Sequence, residues 1–545
     1  MVENLYETYI RNPYAEENIF RTLPPRQESL PEYAAVRTIL PQPFWAGHSS
    51  AIDCYWKVWE LAFRNLRNPT EANGFVSPYI DTAFNGNLFM WDSAFILMFA
   101  RYAQRAFDFQ QTLDNLYSKQ HPDGFICREI REKDGADCFK RFDPPATGPN
   151  VMPWTEWEYY LQIGDRERLG RVFPPLLAYH QWLRHYRTWQ DGTYWASGWS
   201  CGMDNQPRLS FHEKPGGRTQ VSISDLMSLS QGQMPKIDPS MFTDMFKEWW
   251  DHDHMSWIDT SLQAVISARL LILMAEVLGR AEEVADLHDE IKSLSQVINA
   301  TLWDEETGFY YDRRADGRQS RVKTIGAFWA LLAKISPPER VERLVAQLEN
   351  PQTYNRPHRV PSLAADHESY RSLGEYWRGG VWAPTNYMVL RGLTEAGYHD
   401  LAYKIARNHH SQVVQVFEQT GTLWENYAPE KTERGNIAAP NFVGWTGLPP
   451  VSVLFEYVFG LRPDVPGNTL VWDVRLLEEH GVAQYPFGQR GLLDLHCPAR
   501  TTAEEKPVIT AHSNVPLNLE VHWAGGVELV ESRLAGRASS GPAGT

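Results

Sequence analysis

Residues 257–278 read WIDTSLQAVISARLLILMAEVL and run directly into Gly279, a helix-stopping residue. The stretch is apolar on nearly every side. Just beyond it, Val284, Leu287, Ile291, Leu294 and Ile298 recur at steps of three and four, the spacing of an amphipathic helix with one buried stripe. A helix that is apolar all round has to be covered on most sides, whereas a one-striped helix shows its other face to water. Joined by a tight turn, the two form an αα-hairpin with an inner and an outer member. The unit closes with LWDEETGFYYD (302–312), a turn with short strand-like character.

The same plan recurs on both sides. WDSAFILMFARYAQRAFDF (91–109) leads into TLDNLYSKQ (112–120), and WTEWEYYLQIGDRERL (154–169) into RVFPPLLAYHQWLRHYR (171–187). TIGAFWALLAKI (324–335) precedes PERVERLVAQLE (338–349), and residues 385–419 repeat the pattern. In each pair the first helix is the more apolar, as two concentric helix layers require. The expected architecture is mainly α, an (α/α)6 barrel over residues 46–462. No fixed-length repeat marks a solenoid. Residues 1–45, rich in Pro and Glu, read as an arm lying on this domain. After residue 462 short alternating segments take over, among them NTLVWDVRLL (468–477), GLLDLHCPAR (491–500) and LNLEVHWAGGVELVES (517–532). These predict a small C-terminal antiparallel β unit over 463–545, with a frayed tail at RASSGPAGT (537–545).

Bulk composition narrows the functional classes. A net charge of −15 gives no basic footprint for nucleic acid and disfavours polyanionic substrates. The five cysteines have no CxxC spacing, so neither a zinc site nor a dithiol motif is indicated, and free thiols in a reducing compartment are the simplest reading. The N-terminal segment has no secretory pattern, and no long uncharged apolar run predicts a membrane span. A cytoplasmic protein without membrane or nucleic-acid partners is expected. Its oligomeric state is not legible. The 21 Trp, 24 Tyr and 24 Phe suit the flat C–H faces of sugars, but they also suit a core.

Chemistry in such a barrel is expected in loops at one end. Asp92, in Phe89-Met90-Trp91-Asp92-Ser93, reads either as a hydroxyl-binding carboxylate beside a Trp91 platform or as a helix cap. Gln120, before Asp123-Gly124, either faces a ligand or ends a helix. Asp204, in SGWSCGMDNQPR (197–208), sits where no regular helix can run, walled by Trp199 and Met203. Desolvation there raises a carboxyl pKa and suits a general acid, the alternative being an Asx-turn. In EYWRGGVWAPTNY (375–387), Trp377, Arg378 and Trp382 are too bulky for a turn built for core packing alone, which favours ligand binding by this segment, Tyr376 and Gly379 included. Glu425, in LWENYAP (423–429), is a second carboxylate, and Trp445, in GWTG (444–447), would complete a sugar subsite. Trp154, Arg208 and Gln263 are further candidate sugar contacts. Two carboxylates flanking a glycosidic bond are what hydrolysis needs: one protonates the leaving oxygen, and the other attacks the anomeric carbon or deprotonates water. Asp251-His252-Asp253-His254 looks like a ligand cluster but reads as a solvated loop, so no metal and no cofactor are assigned. No phosphate-binding, HExxH or dinucleotide motif is present.

In this order, NLFMWDSAF, QHPDGFICREI, SCGMDNQPR, YWRGGVWAPTNY, WENYAP and GWTGLPPVSVLFEY resemble glycoside hydrolase family 63 and, more distantly, the family 37 trehalases, over roughly residues 80–460. The resemblance implies an (α/α)6 barrel and an inverting α-glycosidase. It places the general acid on Asp204, the general base on Glu425, and binding of the non-reducing sugar on Asp92 with Tyr376, Trp377, Arg378 and Gly379. It also admits a structural calcium in some members. The implied substrate is a small α-glucoside or α-mannoside, such as a disaccharide or a glycosylglycerate. Family members often carry Ser and Ser where this chain has Cys201 and Gln206, and Pro where it has Gly380. These positions flank the expected aglycone side. The C-terminal β unit is an addition to the compact bacterial glycosylglycerate hydrolases. A glycoside phosphorylase, a lyase and a non-catalytic sugar-binding protein are the competing readings. Glu425 argues against the first, and the paired carboxylates argue against the other two.

Overall fold

The computed structural model describes residues 10–82, 85–210, 250–531 and 533–534; the expected frayed tail lies outside them. Twelve helices dominate the described residues: α1 (Ser49–Arg64), α2 (Met90–Ala100), α3 (Thr112–Ser118), α4 (Met152–Ile163), α5 (Arg166–Tyr186), α6 (Ile258–Leu278), α7 (Ala285–Thr301), α8 (Trp329–Ala333), α9 (Pro338–Glu349), α10 (Ala383–Glu395), α11 (His399–Thr420) and α12 (Pro449–Val458).

Burial divides them as the residue pattern requires. Every residue of α2 and of α12 is buried, whereas α7 buries only Leu287, Leu294 and Ile298, and α9 only Leu344, Val345 and Leu348. The inner helices touch in sequence: α2 packs on α4, α4 on α6, α6 on α8 and α8 on α10. The short turn Trp445–Gly447 then joins α10 to α12 and back to α2. Outside, α3 covers α2, α5 covers α4 and α6, α7 covers α6, and α11 and α1 cover α12. The helix α12 is wound with i→i+5 bonds, as in Val453 N–H to Leu448 O at 2.9 Å, over a start at Pro449-Pro450 that lacks two backbone donors.

The two ends of the inner helices differ in chemistry. Toward their C-termini, Arg101, Glu158 of α4, Arg391 of α10 and Glu456 of α12 form a buried square of alternating charge. Arg101 reaches Glu456 at 2.7 Å and Arg391 reaches Glu158 at 2.6 Å. The hydroxyls of Tyr102 and Tyr387 also donate to Glu456. Four inner elements are thereby pinned together, and the opposite end, where the helices begin, is left for the loops that carry the candidate site. The helix α6 is long and apolar enough to cross a membrane by length and composition, yet 72% of its most apolar window is buried within the protein.

Past α12 the chain turns at Gly460, whose φ of +80° and approach to Asp473 O leave no room for a Cβ. Two sheets follow. One has the order β1 (Gln42–Trp45), β4 (His480–Phe487), β5 (Gly491–Cys497), β6 (Thr510–Ser513) and Arg533–Leu534. The other has the order β8 (Gly526–Glu531), β7 (Asn518–Trp523), β3 (Thr469–Asp473) and β2 (Leu461–Asp464). The first edge strand comes from the N-terminal segment, with Gln42 opposite Ala483. The expectation of a purely antiparallel unit is corrected: β7 runs parallel to β3, with Asn518 opposite Thr469. The chain crosses to the other sheet between them, and such a long connection is what parallel pairing needs.

Candidate active site

The acid-side loop, Ser197 to Asn205, folds on its own small residues. The Ser197 hydroxyl accepts the Ser200 N–H at 3.1 Å, and Cys201 N–H returns to Ser197 O at 3.1 Å. At Gly202, φ is +76° and a Cβ would sit 3.0 Å from Pro149 and 3.5 Å from the Trp91 ring, so the glycine lets the loop lie on Trp91. Cys201 and Gln206, expected to flank an aglycone, are buried braces. The Gln206 amide donates to Ser362 O at 2.6 Å and accepts from Thr324 at 2.7 Å, and the Cys201 sulfur accepts the Met203 N–H.

Asn205 fastens this loop to the one preceding α10. Its amide donates to Glu375 O at 3.1 Å and accepts Trp377 N–H at 2.8 Å, while its carbonyl takes Arg378 Nε at 3.2 Å. The α10 loop is strained at Tyr376, where φ is +58°. Its carbonyl accepts Gly380 N–H at 3.1 Å and the indole N–H of Trp382 at 3.2 Å. Directed this way, the Tyr376 hydroxyl donates to Glu425 Oε1 at 3.0 Å.

Glu425 is only 2% exposed. Its Oε2 accepts Ala439 N–H at 3.1 Å, and its backbone carbonyl takes the Trp445 indole N–H at 3.0 Å. Burial, reinforced by the charge of Asp204, pushes its carboxyl up to about 7 against the Ala439 N–H and the Tyr376 hydroxyl. Burial raises the Asp92 carboxyl well above its usual range; the charge of Glu425 adds to this, and the Arg128 guanidinium opposes it. The Tyr376 hydroxyl is raised too, by burial and then by the charges of Glu425, Asp204 and Asp92. Three carboxyls, Asp92 from the first turn of α2 and Asp204 and Glu425 from loops, therefore act on one hydroxyl, which donates to Glu425.

Other candidates are placed elsewhere. Gln120 is consumed by structure: its amide donates to Gly124 O and Pro175 O and accepts from Asn18. Arg208 lies among the carboxylates of Asp259 and Asp312, all 1% exposed or less. Gln263 lines a cavity of about 20 Å³ behind the acid-side loop, with Asn150, His180 and Ser200. Trp154 is one layer deeper, its N–H on Glu158 and its ring against Tyr387. Trp377 and Trp382 stack on each other at 3.9 Å, 1% and 0% exposed, which leaves no face for a sugar. Arg378 packs against Asn205 O, and Gly379, at φ +126°, passes where a Cβ would strike the Tyr370 ring. Trp91 and Trp445 stay with the carboxylates.

Residue reading gave no role to Arg128, whose guanidinium lies 5.1 Å from both the Phe139 and Trp199 rings, or to Asn205. The signal for Asn205 is its place beside Asp204; its partners, 170 and 172 residues away, leave no local trace. Asp253, from the Asp/His run, is engaged by Arg314 and by both donors of Ser210. Among the described residues no three His, Cys, Asp or Glu side chains are grouped as a metal site needs.

The family model described as mannosylglycerate hydrolase MGH1-like glycoside hydrolase domain matches residues 86–446. A mannosylglycerate hydrolase from Thermus thermophilus is 26% identical over 352 residues, 58% of this chain and 83% of that one. A probable mannosyl-oligosaccharide glucosidase from Schizosaccharomyces pombe is 26% identical over 303 residues, 51% of this chain and 34% of that one. The crystal structure of a GH63 mannosylglycerate hydrolase from a second strain of Thermus thermophilus, in complex with glucose, superposes with a TM-score of 0.55 at 24% identity, over 73% of this chain and 99% of that one, a likeness of fold.

Proposed function

This chain belongs to the mannosylglycerate hydrolase MGH1-like glycoside hydrolases, within family 63, and we propose that it cleaves a small α-linked glucoside or mannoside by single-step inversion. The observation that carries this reading is the buried Glu425 held by the Tyr376 hydroxyl, with the charges of Asp204 and Asp92 acting on the same hydroxyl. Asp204 protonates the glycosidic oxygen as its bond to the anomeric carbon breaks. Glu425 takes a proton from a water whose oxygen bonds that carbon from the opposite face. Asp92 holds hydroxyls of the non-reducing sugar, and Trp91 packs on the ring. A glycosyl group on glycerate, as the Thermus relative's name states for that protein, is the first substrate to try.

We read the helices as an (α/α)6 barrel over residues 46–462, supported by the closed order of inner-helix contacts, with the β unit of 463–545 appended. Hydrolysis is favoured over phosphorolysis because Glu425 is buried and braced by two donors in the way a base needs. The test is turnover of α-mannosyl- and α-glucosylglycerate and of α-linked disaccharides by the wild type, Asp204→Asn and Glu425→Gln. Each variant is expected to lose about 10²–10⁴-fold in kcat. Near wild-type rates in both variants, or turnover only with added phosphate, would overturn the proposal.

A further inference from the structure

Trp377, which the resemblance assigns to the sugar, and Trp382, which the residue pattern adds, are in the wrong place to touch one. Trp377 and Trp382 are stacked face to face and fully covered. The N–H of Trp382 points to the Tyr376 carbonyl, which Gly380 N–H also holds. A Cβ at residue 380 would lie 2.3 Å from that carbonyl, so glycine is required for the grip. The Tyr376 ring then meets the Trp382 ring edge-on at 4.8 Å and 83°. From this seat its hydroxyl reaches Glu425.

We propose that Tyr376, seated by the Trp377–Trp382 stack, is the positioning residue that orients the Glu425 carboxylate for proton abstraction from water, and that the stack is a scaffold for this hydroxyl and not a sugar platform. The proposal rests on reading Glu425 as the base.

The groups facing Glu425 make the hydroxyl decisive. Asp204 faces it with like charge, and Asp92 lies close enough to interact, with Arg128 acting on Asp92 from its other side. Among the described residues two donors, Tyr376 OH and Ala439 N–H, bond the carboxylate and favour its charged form. The Ala439 donor is backbone and fixed. Removing the phenolic hydroxyl leaves burial and Asp204 opposed by one donor, so Glu425 ionises at higher pH and one oxygen loses its anchor.

The experiment is the pH dependence of kcat and kcat/KM for Tyr376→Phe, Trp382→Phe and Glu425→Gln, on the substrate that the wild type turns over. Tyr376→Phe keeps the ring and its seat. Its acidic limb in kcat/KM is expected to move up by about one pH unit and kcat at the optimum to fall about tenfold, with KM within about threefold of wild type. Trp382→Phe, which removes the N–H and keeps an aromatic ring, is expected to move the limb the same way by less, and it carries the test if Tyr376→Phe does not fold. An unmoved limb in the folded variants, or a rise in KM at unchanged kcat, overturns the proposal; the latter makes Tyr376 a sugar contact. If Glu425→Gln keeps its activity, the base assignment fails instead. If Glu425→Gln is inactive while the limb stays put, the Tyr376 proposal alone fails.

Discussion

Replacing Arg208 by Met separates a structural arginine from a ligand-binding one. The guanidinium makes four contacts: Nη1 and Nη2 to Asp259 at 2.6 and 2.9 Å, and Nε and Nη2 to Asp312 at 2.8 and 2.7 Å. It also lies 4.3 Å from the centre of the Trp257 ring. No group in this trio is more than 1% exposed. Met preserves most of the stem and leaves two buried carboxylates unpaired. Breaking a buried ion pair by removing one partner costs about 3–5 kcal/mol. Equilibrium urea unfolding of Arg208→Met is therefore expected to show a loss of that size, while kcat/KM of the folded enzyme stays within about threefold of wild type. Asp259 opens α6 and Asp312 accepts the Ile258 N–H, so the loss originates at the start of an inner helix. Unchanged stability with a KM raised more than about tenfold would place Arg208 on the substrate and refute this reasoning.

Glu425 links stability to pH in a definite sense. Its folded-state pKa is raised from 4.5 to about 7, so the stability it contributes is full below 4.5 and is lost as pH rises through 7. Glu425→Gln stays neutral and should be more stable than wild type at pH 8, by on the order of 3 kcal/mol, with the difference vanishing near pH 4; no gain at pH 8 in thermal or urea unfolding would count against it. Asn205→Ala unfastens the acid-side loop from Glu375 and Trp377, and kcat is expected to fall about 10- to 100-fold through misplacement of Asp204. Wild-type kcat in that variant would show that the clasp is dispensable. Glu456→Gln leaves Arg101 and Arg391 sharing Glu158 and should cost about 3 kcal/mol in urea unfolding with KM unchanged, since the square lies at the far end of the inner helices.

The helix pairs were legible because burial writes itself into periodicity. The apolar-rich 257–278 and the striped 284–298 read as an inner and an outer helix. The strand Gln42–Trp45 was not legible: it is four residues long, contains Pro43, and finds its partner at 480–483. The parallel pairing of β7 with β3 left no sign either, since strand direction depends on a crossover and not on alternation. In the site, the carboxylates Asp204 and Glu425 are legible from their loop settings and Asp92 from its Trp-Asp motif, though it stands in the first turn of α2. For Arg208, Gln120, Trp377 and Trp382, residue type and motif do not name a partner. An arginine pairs with a protein carboxylate as readily as with a ligand, and a tryptophan stacks on a tryptophan as readily as on a sugar. Tyr376 stood in the right motif, but its bond to Glu425 spans 49 residues and depends on a left-handed backbone that residue type disfavours.

The central claim is hydrolysis with inversion by Asp204 and Glu425, and proton NMR of the released sugar tests it most directly. With a pool of α-glucosides and α-mannosides, the account predicts that the β-anomer appears first and then mutarotates, without added phosphate. First appearance of the α-anomer would contradict it, because a retained configuration requires a carboxylate nucleophile in place of an activated water.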